Sequence, residues 1–287
     1  MIKKIAKNLK IYFLIFLALI ALSIWSTYLQ EPDSNLHIYA LDVGQGDAIL
    51  IQKQNFQVIV DGGPDNSVIE RLAEVMPLED KKIEVIILTH PHADHVTGLV
   101  EVLKRYNVEK VVYSGVNYQS NIFAEFKEEV EIKKIPVENP KNGQENIYQH
   151  EIKLTYLWPG ENTANYSDNL NDTSIVFRLD FGNSSALFSG DCEVECWSGI
   201  MQDLDSNIKA DLLKIAHHGS NNGTSEEMLE RIKPRYAIIS LGKDNKFGFP
   251  HQQVIRALEK SGASFIRTDE MSTIDFVSNG QEFMIGK

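Results

Sequence analysis

Thr89-His90-Pro91-His92-Ala93-Asp94-His95 packs three imidazoles and one carboxylate into the six positions from His90 to His95. On extended backbone, residues two apart share a side, so His90 and His92 point the same way. Asp94 and His95 then turn back at the start of a helix, and the four side chains can converge on one point. Imidazole suits zinc, iron or manganese, and the carboxylate adds affinity for a hard ion while orienting a water. The segment therefore reads as a site for one or two divalent ions, Zn2+ or Mn2+. A histidine-rich surface turn is the plain alternative, and the dense spacing after a buried strand argues against it.

Working outward, Glu84 to Leu88 is an unbroken apolar run ending just before the cluster, and Val96, Leu99, Val100 and Leu103 repeat at helical spacing after it. A strand leads in and a helix leads out. Leu36–Val43, Ala48–Gln52 and Phe56–Val60 read as an antiparallel meander, the last strand ending in Asp61-Gly62-Gly63-Pro64. Ser67–Met76 and Ile122–Val130 are predicted helical, Val108–Tyr113 a strand, and the turn-rich stretch Pro136–His150 a loop over the core. Strands are expected again at Ile152–Trp158, Ser174–Phe181, Ser185–Ser189, Asp211–Ala216 and Tyr236–Leu241, with helices from about Glu193 and at Glu226–Ile232. A helix at Gln252–Ser261 and strands near Ser264–Arg267, Thr273–Val277 and Glu282–Ile285 close the chain. Meanders mixed with strand-helix units predict an α/β fold of two sheets flanked by helices, a four-layer αββα sandwich.

Two further segments fall at C-terminal ends of predicted strands: Ser189-Gly190-Asp191 and Ala216-His217-His218-Gly219-Ser220. Asp191 alone would pass for a helix cap, and the histidine pair alone would carry little. With the first cluster they complete a two-metal site with a bridging carboxylate.

These segments, with Leu41-Asp42-Val43-Gly44-Gln45-Gly46-Asp47-Ala48 and Asn171-Asp172-Thr173-Ser174, give the chain a strong resemblance to the metallo-β-lactamase superfamily. More narrowly, it resembles the extracytoplasmic hydrolase domain of ComEC-type DNA-uptake competence proteins, over roughly Leu36 to Gly262. The resemblance implies the metallo-β-lactamase sandwich and a binuclear site. His90 and His92 would hold one ion, Asp94, His95 and His218 (or His217 instead) the other, with Asp191 between them. Asp61 would buttress the cluster. The chain departs from the superfamily pattern in two places. The histidine ligand usual between the first cluster and the Gly-Asp segment is missing, His150 being the only histidine there and reading as a surface residue. Where the family tends to carry a substrate-binding histidine after a Phe-Gly pair, this chain has Phe249, with His251 two residues on.

Charge is uneven along the chain. Lys3, Lys4, Lys7 and Lys10 precede the first acidic residue, so the remaining chain carries 24 basic against 40 acidic residues, a net of −16. Such a body lacks the basic footprint of a protein that grips nucleic acid through its phosphates. Ile11 to Leu29 holds no charge and, at about 1.5 Å per residue, spans about 28 Å, the thickness of a bilayer's hydrocarbon. Lysines before it, and Trp25 and Tyr28 near its far end, fit an interfacial belt and the positive-inside rule. The expected organisation is a basic cytoplasmic segment at 1–10, a transmembrane helix at 11–29, a linker at 30–35 and the hydrolase domain at 36–287. The protein would be single-pass in the cell membrane with its catalytic domain outside the cytoplasm. A signal peptide cleaved near Ala21-Leu22-Ser23 is the alternative, disfavoured because that site lies inside an apolar run longer than the usual ~7 to 15 residues. Cys192 and Cys196, the only cysteines, read as two small half-buried helix residues and not as a disulfide framework, an i, i+4 disulfide outside the cell being the geometrically awkward alternative.

The leading functional expectation is hydrolysis of a phosphoester, with DNA as one candidate substrate, by a metal-bound hydroxide. Asp94 or Asp191 would orient the water, and His217 or His251 would protonate the leaving oxygen. Hydrolysis of a lactam, thioester or other carboxyl derivative is the second reading, and a noncatalytic module of a DNA-uptake assembly the third. Protein partners are not legible.

Overall fold

The computed structural model describes residues 2–29, 33–159, 169–203 and 207–286, and within the first stretch the side chains of residues 10–23 and 25 only. In chain order the strands are β1 (Leu36–Ala40), β2 (Ile49–Lys53), β3 (Phe56–Val60), β4 (Lys82–Leu88), β5 (Asn107–Tyr113), β6 (Val137–Glu138), β7 (Glu145–Tyr148), β8 (Ile152–Trp158), β9 (Val176–Phe181), β10 (Ser184–Phe188), β11 (Leu212–Lys214), β12 (Tyr236–Ile239), β13 (Ser264–Arg267), β14 (Ile274–Ser278) and β15 (Phe283–Ile285). The helices are α1 (Ile2–Leu29), α2 (Ser67–Val75), α3 (Ala93–Arg105), α4 (Asn121–Ile132), α5 (Val194–Gln202), α6 (Glu226–Ile232), α7 (Gln252–Ser261) and α8 (Thr268–Met271).

The period-2 alternation of strand side chains decides the layering. Ile49 and Ile51 of β2, Val58 and Val60 of β3, and Val85 and Ile87 of β4 meet Ala186 and Phe188 of β10 and Phe177 of β9 in one buried layer between two sheets. The intervening Leu50, Ile59 and Ile86 face the other way, into a second layer with Leu72 of α2, Leu99 of α3 and Phe123 of α4. On the far side, Leu187, Leu213 and Ala237 pack against Trp197 of α5, Leu229 of α6 and Leu258 of α7. Three apolar layers between four layers of structure make the αββα sandwich. Phe177 and Phe188 stack at 4.8 Å in its middle, and truncating either to Ala should cost about 3–5 kcal/mol.

One sheet runs β15-β14-β1-β2-β3-β4-β5-β6 and the other β13-β12-β11-β10-β9-β8-β7. β3 pairs with β4, and β10 with β11 and then β12, in parallel. Strands of both sheets therefore deliver their C-terminal ends to loops where a site can form, as open α/β sheets characteristically do.

The expected loop Pro136–His150 is instead the edge of both sheets, since β6 pairs with β5 and β7 with β8. Edge strands bury little, so Val137 and Ile147 stay exposed and no apolar alternation announces them. The cysteines follow the alternative and not the favoured reading: both are fully buried and joined in a disulfide, their Cα atoms 5.5 Å apart. Cys192 lies before α5, so the pair escapes regular i, i+4 helical geometry and falls in the disulfide range.

The chain divides into two units, residues 1–33 and 34–287. In the first, α1 exposes Ile11, Phe13, Leu14 and Phe16. Among the described residues no helix is long and apolar enough to cross a membrane. The side chains of Lys3, Lys4, Lys7 and Tyr28, and positions 30–32 of the expected linker, lie outside the described residues.

Candidate metal centre

The cluster assembles around one oxygen. Asp191, 2% exposed, holds its Oδ2 at 3.3 Å from His95 Nε2, 3.5 Å from His218 Nε2, 3.9 Å from His217 Nε2 and 4.0 Å from His90 Nε2. Asp94 Oδ2 lies 3.6 Å from His218 Nε2 and 3.9 Å from His95 Nε2. His92 joins through His90, its Nδ1 3.0 Å from His90 Nε2. Among the described residues four ligand sets follow, His90-His95-Asp191, Asp94-His95-His218, Asp47-Asp191-His218 and Asp47-Asp61-His95, each with its donor atoms within 4.8 Å of one another.

Local backbone explains the convergence. Gly46 runs so close to α3 that a Cβ there would meet the Asp94 carbonyl oxygen at 2.2 Å. Ser189-Gly190 delivers Asp191, whose N–H donates to Ser174 Oγ (3.1 Å). His217 and His218 both adopt left-handed backbone, φ 47° and 54°. Such strain in non-glycine residues, of order 1–3 kcal/mol each, persists where the surroundings over-determine it.

The remaining nitrogens are fixed by partners, as metal-binding imidazoles require. His95 Nδ1–H donates to Asp61 Oδ2 (2.8 Å), and Asp61 also accepts from the Thr89 N–H (2.8 Å) and hydroxyl (2.7 Å). His218 Nδ1–H donates to the Ser240 carbonyl at 2.8 Å. His217 Nδ1–H donates to Glu193 Oε1 at 2.6 Å, and Asn169 and Asn171 donate amide hydrogens to the same carboxylate. His95 Nε2, His218 Nε2, Asp191 Oδ1 and Asp47 Oδ1 are buried with no hydrogen-bond partner among the described residues. Buried polar atoms are normally satisfied, so these orphans among aspartates and histidines fit a divalent cation.

Protonation divides the cluster. Burial, reinforced by the positive His95, drives His90 well below the ordinary histidine range and lowers His92 as well. Burial also acts against charge at His95 and His218, yet the Asp191 carboxylate with Asp61 lifts His95 well above that range, and Asp191 with Asp47 lifts His218 to about 10. Burial opposes ionisation of Asp191 in turn, but His218 and His95 hold it well below the carboxylate range.

Three participants escaped the sequence reading. Asp47 lies 3.5 Å from His218 Nδ1 and pairs with Lys214, a lysine 2% exposed whose Nζ also donates to the Gly190 carbonyl (2.9 Å) and sits 3.6 Å from Asp191 Oδ1. A lone charge in the apolar run Leu212–Ala216 was the available signal for Lys214, and the Gly-Gln-Gly turn for Asp47. Glu193 had none. Of the other expected residues, His150 is exposed, and His251 starts α7 with its Nδ1 accepting from the Asn221 N–H (3.0 Å). Among the described residues His251 contacts Phe249, at 5.1 Å between rings, and not the Asp191 cluster. Phe249 itself lies 5.4 Å from the His217 ring.

A two-sheet sandwich holding buried histidines and aspartates at one rim defines a metal-binding protein of the hydrolase type. Residues 41–243 match the metallo-beta-lactamase superfamily, and the chain belongs to that family. Its relatives include the ComE operon protein 3 of Bacillus subtilis (strain 168), 29% identical over 82% of this chain and 32% of that protein. They also include the Recombination protein 2 of Haemophilus influenzae, 33% identical over 77% of this chain and 26% of that one. The chain thus spans a third or less of these relatives, which are competence proteins of the ComEC type, as the resemblance implied. Among solved structures, the metallo-beta-lactamase fold protein YhfI from Bacillus subtilis superposes with a TM-score of 0.55 at 14% identity, over 85% of this chain and 100% of that one. That likeness bears on fold alone.

Proposed function

We propose that this chain is a metal-dependent phosphodiesterase tethered to a membrane, acting on nucleic acid outside the cytoplasm. The observation that carries the reading is the Asp191 carboxylate, shared at 3.3–4.0 Å among the Nε2 atoms of His95, His218, His217 and His90. His90, His92 and Asp191 would hold one divalent ion, and Asp94, His95, His218 and Asp191 the other, as Zn2+ or Mn2+. Bound there, such ions supply Lewis-acid stabilisation of a phosphoryl oxygen and an activated water. The chain's own groups do the rest. Asp94, partly open to solvent, accepts a hydrogen bond from the attacking water. His217 is 23% exposed, and its Nδ1 is tied to Glu193, so Nε2 is the atom that can give a proton to the leaving oxygen. Of the two acids expected from sequence, His217 is better placed than His251. The Cys192–Cys196 disulfide supports an oxidising compartment. The charge-free run Ile11–Leu29, the lysines before it and the competence relatives support membrane attachment and DNA as substrate.

The test is turnover of bis-p-nitrophenyl phosphate beside nitrocefin by the metal-loaded protein, with Mn2+ and Zn2+ in parallel. Phosphodiester hydrolysis without nitrocefin turnover is the expected result. The reverse would replace the reading by carboxyl-derivative hydrolysis, and metal-free protein after loading would leave only a binding role.

A further inference from the structure

Lys214 ends β11, a strand with β10 on one side and β12 on the other, so its side chain has no open edge by which to reach water. Strand alternation decides where it goes. Leu213 faces α5, α6 and α7, whereas Leu212 faces the layer between the two sheets, and Lys214, two positions on, shares that direction. A lysine at the end of an apolar layer, 2% exposed, keeps its charge only where acceptors surround it.

Three acceptors do so. Nζ pairs with Asp47 Oδ2, donates to the Gly190 carbonyl at 2.9 Å and lies 3.6 Å from Asp191 Oδ1. Asp47 belongs to the opposite sheet, on the connection between β1 and β2, where its N–H donates to the Asp94 carbonyl (3.3 Å) and its own carbonyl accepts from the Gly63 N–H (2.8 Å).

Two carboxylates and a carbonyl converging on one point are the hard oxygen donors that a divalent ion takes. Asp47, Asp191 and His218 also bring donor atoms within 4.8 Å of one another, a place for an ion beyond the two already assigned. The ammonium stands at that place. Asp47 meets His218 and His95 at Nδ1, 3.5 and 3.9 Å away, behind rings whose Nε2 atoms face Asp191. Asp191 is divided in the same way, with Oδ2 toward the imidazoles and Oδ1 toward Lys214.

Resting on the two-ion phosphodiesterase reading, we infer that Lys214 is a positioning residue of the centre, a tethered cation that fills the pocket between Asp47 and Asp191, keeps Asp47 out of the ligand set and so limits the centre to two ions. A neutral side chain there would leave two buried carboxylates sharing one pocket, and a divalent ion would enter to neutralise them. A lysine that served only to join the two sheets would leave the number of ions unchanged when replaced.

The test counts Mn2+ bound at saturation by the full-length chain, using electron paramagnetic resonance, in which free aqueous Mn2+ gives the sharp signal and bound ions do not. Wild type should bind two ions. Lys214→Met, purified with Mn2+ present so that the entering ion supplies the lost charge, should bind three, and Lys214→Met with Asp47→Asn should return to two. Asp47→Asn alone should still bind two, and it decides the question if Lys214→Met does not fold. Two or fewer ions in folded Lys214→Met, or an ion lost in Asp47→Asn, overturns the proposal. Wild type binding fewer than two would remove the two-ion reading and the proposal with it. None of these counts depends on turnover. The expected counts in a protein inactive on phosphodiesters would end the phosphodiesterase reading and keep the role of Lys214, and an active protein whose count Lys214→Met leaves unchanged would do the reverse.

Discussion

The two halves of the candidate centre use the same side chain in opposite charge states. His90 and His92 come from one short segment, and among the described residues Asp191 is the only carboxylate within 4.0 Å of His90. His95 lies on α3, after β4 of one sheet, and His218 in the turn after β11 of the other, and both sit among Asp47, Asp94 and Asp191, with Asp61 also on His95. Burial, with the positive His95 beside it, wins in the first half and leaves neutral imidazoles. The carboxylates win in the second and leave imidazoliums. A divalent ion meets ready ligands but little negative charge in the first half. In the second it meets strong attraction, with protons to displace. The half rich in carboxylates should therefore bind more tightly and with the steeper pH dependence. The half lacking the usual extra histidine should be the looser one.

The largest effect should come from the residue common to both halves. Asp191→Ala removes the shared carboxylate and should lower phosphodiester turnover roughly 10³-fold, the several kcal/mol expected when metal stabilisation is lost. Metal content should fall with it. Retention of full activity would dissolve the idea that the two halves meet at Asp191.

Next in size is the contrast between His218→Ala and His92→Ala. After dialysis near neutral pH, elemental analysis should find the His92 variant still holding metal in the carboxylate-rich half and the His218 variant depleted there. Turnover should drop about 10²-fold in each. Equal metal retention in both would erase the distinction.

Smallest is a stability effect of pH on the metal-free protein. The His218 pKa is raised in the fold, to about 10 against an ordinary 6.5. Its contribution is therefore complete below about 6.5 and lost as pH rises through about 10. Melting temperature should decline across that window, each kcal/mol being worth about 2–4 °C in a domain of this size. Metal loading should flatten the decline, and a flat profile without metal would show that His218 is not held as an imidazolium.

How much of this was legible follows from where the information lies along the chain. β1, β8, α6 and α7 announce themselves because one buried face per element leaves a period of 2 or 3.6 in adjacent residues. β6 and β7 bury too little to leave that trace. His90, His92, Asp94 and His95 are legible because four candidate donors fall within six positions. Glu193 and Lys214 are not, since their meaning depends on partners brought in by the fold: Glu193 on His217, Lys214 on Asp47. The disulfide was legible only as the less favoured alternative for a related reason, because Cys192 leaves the helix that sequence spacing assigned it to.

The buried ammonium of Lys214 makes the charge inside the centre countable. Four carboxylates, Asp47, Asp61, Asp94 and Asp191, face one permanent cation, leaving three negative charges, and the two imidazoliums of His95 and His218 reduce the excess to one. Exchanging those two protons for one doubly charged ion leaves that total untouched. Loading the first ion is thus an isoelectric exchange: the solution acidifies while the protein's own migration in an electric field stays where it was.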